Sequence, residues 1–311
     1  MADVVVVGGG VIGLTTAVCL AEVGHRVQVW SALFPKRTTS AVAGAMIGGP
    51  VLAEPRESAV RWQRESLEIF DALAGHHGTG VSLARGRLVS RLGAGLPPWA
   101  AELPGFAPCT EAEHAGFPLA FWISSPIVDM PTYLDYLVDR LCRAGGDIEI
   151  RTVEALAEAA PGADVVVNCT GVAAEALTGD EQVQPVRGQH VVVENPGLTE
   201  FFYEGGADRE WVSFFPHDGR VVLGGNAAPG DWNLDPDDDQ TETILRRCAA
   251  VEPRLANARI LGVEVGLRPG RPSIRLAEEP LDSARLIHCY GHGGVGVSLS
   301  WGCAREITTM L

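Results

Sequence analysis

Two glycine-rich turns hold the residues of this 311-residue chain best suited to chemistry: Gly8-Gly9-Gly10-Val11-Ile12-Gly13 and Gly291-His292-Gly293-Gly294-Val295-Gly296. Four valines at 4–7 precede the first turn and a helix-like run continues to Gly24, so strand, glycine turn and helix follow one another. Gly8 permits the tight turn, Gly10 lets the backbone approach a pyrophosphate, and Gly13 lets the helix sit close against the strand. The N–H groups of the helix start then favour phosphate. Such spacing predicts a dinucleotide site. Which dinucleotide is open at this point, because the second strand, over 25–30, ends in Trp30-Ser31-Ala32 where a ribose-binding carboxylate usually stands. Lys36 and Arg37 are candidates for a 2′-phosphate site, several residues late for that contact.

The elements that must position these turns are far apart in sequence. A strand over 163–169 runs into Thr170-Gly171 and is preceded by another over 148–153, and a strand over 285–290 enters the second glycine turn, with a helix over 297–310 behind it. Parallel strands of this kind end at a ligand crevice. Residues 51–142 carry helical patterns at 59–73 and 130–142, with loops rich in Gly and Pro. Residues 185–275 alternate like antiparallel strands at 189–193, 211–215, 220–224 and 258–265. The expected fold is α/β: a discontinuous Rossmann-like nucleotide domain (1–50, 143–184 and 276–311) interleaved with an α+β substrate domain (51–142 and 185–275) that holds an antiparallel sheet.

Composition sets the frame for partners. Hydrophobic residues make up 46% and charged residues 20%, the balance of an ordinary globular enzyme. The net charge of -15 makes nucleic acid and anionic membranes poor partners. The run Asp235-Pro236-Asp237-Asp238-Asp239 reads as a solvated loop leading into a helix at 242–248, with a bound cation as the weaker alternative. No basic, apolar leader precedes the valines, so a cytoplasmic protein is expected. Seven cysteines are scattered without a Cys-x-x-Cys pair, so reduced core thiols are expected, with no metal site.

Taken in order, the motifs resemble the D-amino-acid oxidase family over nearly the whole chain. They are Gly8 to Leu14, Arg37-Thr38-Thr39-Ser40-Ala41-Val42-Ala43-Gly44-Ala45, Val166-Val167-Asn168-Cys169-Thr170-Gly171 and Pro185-Val186-Arg187-Gly188-Gln189. Leu223-Gly224-Gly225 with Gly230-Asp231-Trp232, Gly266-Leu267-Arg268-Pro269 with Arg271-Pro272, and Tyr290-Gly291-His292-Gly293-Gly294 complete the series. The resemblance implies non-covalent FAD. Val11 and Ile12 would line the pyrophosphate turn, and Thr38, Thr39 and Ser40 would hydrogen-bond the cofactor. Gly44, Ala45, Met46, Thr170 and Gly171 would adjoin it, and Val153 would meet its adenine side. His292, Gly293, Gly294, Val295 and Gly296 would wrap the flavin's pyrimidine end, His292 being either part of that shell or a packed turn residue. Arg268 would anchor a substrate carboxylate, for which a planar, permanently charged fork is suited. Arg271 and Arg275 read as structural ion pairs.

The sequence departs from the family at the substrate. Ser213 stands where a tyrosine usually helps hold the carboxylate and is expected, with Arg268, to act on the substrate, its hydroxyl still able to donate to that carboxylate; Asn226-Ala227-Ala228-Pro229 replaces an aromatic or an arginine, and Met46-Ile47-Gly48-Gly49-Pro50 replaces bulky residues. Gly48, Gly49, Ala227, Arg268 and Gly294 are the expected pocket. The activity implied is oxidation of an amino acid, of D configuration by family resemblance, by hydride transfer to flavin N5, giving imino acid, then 2-oxo acid and ammonia, with oxygen reduced to hydrogen peroxide. The small residues point to bulky neutral side chains. Oxidation of glycine, sarcosine or another N-substituted amine, and a flavin-binding protein without turnover, are the alternatives. The implied partners are an amino-acid substrate and oxygen; a homodimer is left open.

Overall fold

The computed structural model describes residues 1–206 and 209–311. The valine run forms the strand Asp3–Val7, with Val4, Val6 and Val7 buried, inside a six-stranded sheet. The sheet order is Arg275–Leu281, Ala284–Tyr290, Val165–Asn168, Asp3–Val7, Arg26–Ser31 and Asp147–Ile150. Every neighbouring pair runs parallel except the first, an antiparallel edge hairpin that the sequence reading lacked. Successive strands leave Asp3–Val7 on opposite sides, which opens a crevice at its carboxyl end.

Helices Val11–Glu22, Met130–Arg143 and Gly296–Met310 join the strands in one apolar core, through Leu14, Leu20, Leu137, Leu141, Trp301 and Ile307. Each such leucine, fully buried, contributes about 1.5–3 kcal/mol. Helix Arg56–Ala74 crosses Gly296–Met310 so closely that a Cβ on Gly302 would lie 2.2 Å from the Cα of Trp62. Helices from the 51–142 stretch therefore share the core of the nucleotide sheet.

The second sheet has nine strands. It includes Gln184–Glu194, Glu210–His217, Arg220–Asn226 and Ile260–Gly270, all longer than the alternation marked out. Two long strands, Val81–Ser90 and Leu119–Val128, lie where the sequence suggested helices and loops. Arg85-Gly86-Arg87 interrupts the alternation there for a packing reason. The Arg85 guanidinium lies 4.1 Å from the centroid of the Trp122 ring, and a Cβ on Gly86 would lie 2.3 Å from the Phe201 ring. The aspartate run starts the helix Asp238–Val251, four residues earlier than expected: the Gln240 N–H donates to the Asp237 carboxylate at 2.9 Å, and Asp238 and Asp239 sit in the first turn. Among the described residues, no helix is long and apolar enough to cross a membrane.

Candidate active site

A cleft of about 700 Å³ opens at the carboxyl ends of the parallel strands. Gly8, Gly10, Val11, Ile12, Thr38, Thr39, Ser40, Val153, Thr170 and Gly171 line it, together with His292, Gly293, Gly294, Gly296 and Arg268. The two glycine turns meet there, since a Cβ on Gly296 would lie 3.9 Å from Ile12. Gly8 has φ +120°, and a Cβ there would lie 2.3 Å from the Cys169 carbonyl oxygen. Gly13 sits beneath the turn, where a Cβ would come within 1.9 Å of the Gly8 carbonyl oxygen. No side chain caps the helix start at Gly10, and the Val11 N–H donates to Ser40 Oγ at 2.9 Å. The bare helix start, backed by a hydroxyl, fits a pyrophosphate.

The ribose side offers no second-strand carboxylate: Ser31 stands there, and its Oγ donates to the Leu33 carbonyl at 2.6 Å. Lys36 pairs with Asp135 at 2.5 Å, and neither Lys36 nor Arg37 lines the cleft. That removes the cations of the 2′-phosphate alternative. Arg151 lies 3.9 Å from the centroid of the Trp30 ring, beside Val153.

Arg268 stands near the end of Ile260–Gly270, the strand that pairs along Gln184–Glu194. Its Nη1 donates to the Asn226 carbonyl at 3.1 Å, and among the described residues it forms no salt bridge. Arg271, by contrast, pairs with Asp180 at 3.0 Å, and Arg275 with Glu279 at 2.8 Å. Burial lowers the Arg268 pKa, as expected for a cation held without an anion, and the neighbouring Tyr203 acts in the opposite sense. Space for the guanidinium comes from Gly188, whose Cβ would lie 2.2 Å from Arg268 Nη1. The Gly293 N–H donates to the Pro269 carbonyl at 2.8 Å, which ties the arginine strand to the second glycine turn.

Several expected site residues stand elsewhere. Gly44 is packed on Phe215, Met46 bridges to Ile127, and Val295 packs into the core, so none of these lines the cleft; nor does Ala45, whose carbonyl accepts the Val128 N–H. Gly48 and Gly49 line a separate cavity of about 380 Å³ with Gln63, Leu67 and Ser125. The cause is local. The Ile47 N–H donates to the Pro126 carbonyl, and the Gly49 carbonyl accepts from Gln63, which carries this segment past the cleft. Ala227 is held away from the cleft wall by its N–H, which donates to the Arg209 carbonyl at 2.7 Å. Ser213 is buried against Gly224 and His190, and it too is absent from the wall.

Three residues emerge that the sequence reading did not single out. Tyr203 lies directly across from Ser213 on the neighbouring strand, so the two share a sheet face, and the Arg268 charge partly counters the rise that burial imposes on its hydroxyl pKa. Trp211 sits with its ring centroid 5.7 Å from the Arg268 guanidinium carbon. His190 lines the cleft, its Nδ1 2.7 Å from the Val42 carbonyl. A carbonyl only accepts, so Nδ1 carries the proton and Nε2 the lone pair. Burial first, then the Arg268 charge, push the His190 pKa down to about 4, and burial does the same for His292. Both imidazoles are therefore neutral at physiological pH. The local signal for His190 was its place after Gly188-Gln189; Tyr203 and Trp211 depend on register between strands.

A family model described as "DAO: FAD dependent oxidoreductase" matches residues 3–310. The chain is similar to a D-amino-acid oxidase of Streptomyces coelicolor, 48% identical over 308 residues that cover 98% of this chain and 95% of the relative. It is also similar to a D-amino-acid oxidase of Rubrobacter xylanophilus, 46% identical over 100% of this chain and 96% of the relative. A D-aspartate oxidase of Homo sapiens is 37% identical over 100% of this chain and 94% of the relative. In fold it resembles a glycine oxidase from Geobacillus kaustophilus, with TM-score 0.81 and 20% identity over 98% of this chain and 93% of that one. The glycine cradle, the cleft it lines and the match over almost every residue agree: the chain belongs to the DAO family of FAD-dependent oxidoreductases.

Proposed function

We propose that this protein oxidises D-amino acids to imino acids, which hydrolyse to 2-oxo acids and ammonia, while oxygen is reduced to hydrogen peroxide. The observation that carries this reading is Arg268, a half-buried cation without an ion-pair partner among the described residues, fastened by the Pro269–Gly293 hydrogen bond to the turn that would meet the flavin. It is supported by full-length similarity to D-amino-acid oxidases. FAD supplies the acceptor for the hydride that leaves the substrate α-carbon. The residues that would hold it are the Gly8–Gly13 turn with Ser40, the Thr170-Gly171 corner and the His292–Gly294 turn.

Arg268 would grip the substrate carboxylate, with the Asn226 carbonyl setting the guanidinium plane and the Trp211 ring beside it. Neither Ser213, turned toward Gly224, nor Tyr203 across the strand lines the cleft, so the missing tyrosine's contact falls to Arg268 alone. Among the described residues, Glu154 beside Val153 is the cleft's one lining carboxylate, far along the wall from Arg268. With no acid or base at the substrate end beyond neutral imidazoles, the substrate ammonium would lose its proton to water, and position would do most of the work.

We further propose a preference for bulky neutral side chains. Arg268 and Arg151 are the arginines lining the cleft among the described residues, and Arg151 lies at the adenine side. A second substrate carboxylate would be desolvated without a partner, whereas each buried methylene gains about 0.8 kcal/mol, roughly fourfold. Oxygen uptake across D-leucine, D-phenylalanine, D-alanine, D-aspartate, glycine and sarcosine tests both statements. The expected result is kcat/KM for the large neutral D-amino acids at least tenfold above that for D-aspartate. A preference for D-aspartate overturns the pocket reading; a preference for glycine or sarcosine overturns the substrate class.

The cofactor is proposed to be non-covalent, since Cys289 and Cys303 flank the final glycine turn without the spacing expected of a flavin-linked thiol, and both are buried against His292. Acid precipitation should leave the yellow colour in the supernatant; colour retained in the pellet contradicts it.

A further inference from the structure

Behind the flavin turn lies a cluster that amino-acid oxidation does not use. Cys289 is near the end of the strand Ala284–Tyr290, His292 follows in the turn, and Cys303 faces both from the helix Gly296–Met310. All three are buried, and their ligand atoms lie within 4.8 Å of one another. His292 Nε2 is 3.9 Å from Cys289 Sγ and 3.6 Å from Cys303 Sγ. A tetrahedral zinc ion with sulphur at about 2.3 Å and nitrogen at about 2.0–2.1 Å holds those two donor atoms about 3.5 Å apart. The two sulphur–nitrogen separations thus need shifts of only a few tenths of an ångström to close on an ion.

We propose that Cys289, His292 and Cys303 form a buried site for a borderline-soft divalent cation such as zinc, with the fourth position left to a water from the adjoining cleft. Two features favour a cation over a chance packing of thiols. His292 Nε2 faces both sulphurs and has no other hydrogen-bond partner among the described residues. The charges also balance: Cys289 and Cys303 each release a proton on binding, and two thiolates with a neutral imidazole cancel the charge of a divalent ion, so the apolar interior receives a neutral complex. Cys169, Cys289 and His292 also line the cleft, which gives the ion a route inward. Sequence spacing alone hides the site, since its donors come from three separate elements.

Cobalt(II) is the probe, because tetrahedral thiolate coordination absorbs in the red, beyond the bands of oxidised flavin. Chelator-treated, reduced holoenzyme titrated with Co²⁺ should develop red bands that saturate at one equivalent and bleach with one equivalent of Zn²⁺. Cys303→Ser and Cys289→Ser should each lose the bands, with Cys303→Ala and Cys289→Ala used in place of any serine variant that does not fold. Cys142→Ser, at an exposed thiol outside the cluster, should keep them. Absence of red bands in both holoenzyme and flavin-free protein overturns the proposal. So does a band that survives substitution of Cys289 and Cys303.

Discussion

Replacing Arg268 with alanine is expected to lower kcat/KM for D-amino acids by about 30- to 1000-fold, while flavin content stays near that of the parent. The size follows from losing a charge-assisted, two-pronged contact in a site shielded from water, worth about 2–4 kcal/mol. Truncation leaves the Asn226 carbonyl without its donor and the substrate carboxylate without its cation. Arg268→Lys restores part of the loss, because a lysine supplies charge but not the planar fork. Anaerobic flavin reduction by a D-amino acid measures the effect directly. Reduction of the alanine variant at the parent rate and substrate dependence would mean that the carboxylate is held elsewhere.

The second large effect belongs to the nucleotide turn. A methyl group at position 13 would lie 1.9 Å from the Gly8 carbonyl oxygen, and that neighbour is backbone, not a side chain that can swing away. Gly13→Ala must therefore push the helix off the strand and spoil the pyrophosphate turn. Overpacking of this kind costs about 3 kcal/mol, which corresponds to FAD binding weaker by roughly 100-fold or more. Titration of flavin-free protein followed by flavin fluorescence gives the number. Gly262→Ala, where an added methyl meets open space, should bind FAD as the parent does. If Gly13→Ala also binds as the parent does, the close contact between helix and strand is not what shapes the site.

The nucleotide half was legible because its signals are local. Val4 to Val7 and Val165 to Val167 are short apolar runs buried inside a parallel sheet, and Gly8 and Gly13 are dictated by contacts within their own turn or with the adjoining strand. The substrate half was less legible because its logic is carried across strands. Gly86 is small to admit Phe201, and Gly188 is small to admit Arg268, yet each reads from sequence only as a strand-weakening glycine. The same limit explains the misplaced pocket. Gly48 and Gly49 follow the family's cofactor segment closely in sequence, and two hydrogen bonds to Pro126 and Gln63 are enough to place them at another cavity. Tyr203 was missed for a related reason: its proximity to Arg268 follows from its pairing with Ser213, which is a matter of register.

The order of strands in the parallel sheet also governs when the protein can become an enzyme. Asp3–Val7 emerges first during synthesis, but its neighbour Val165–Asn168 arrives midway and Ala284–Tyr290 near the end. The cleft's two walls are thus made far apart in time, and a nascent chain holds the unpaired, valine-rich edge of Val165–Asn168 until Ala284–Tyr290 is released. FAD finds its full set of contacts only in the finished chain, so cofactor supply acts on the final folding step, pulling completed molecules into the native state rather than guiding earlier ones.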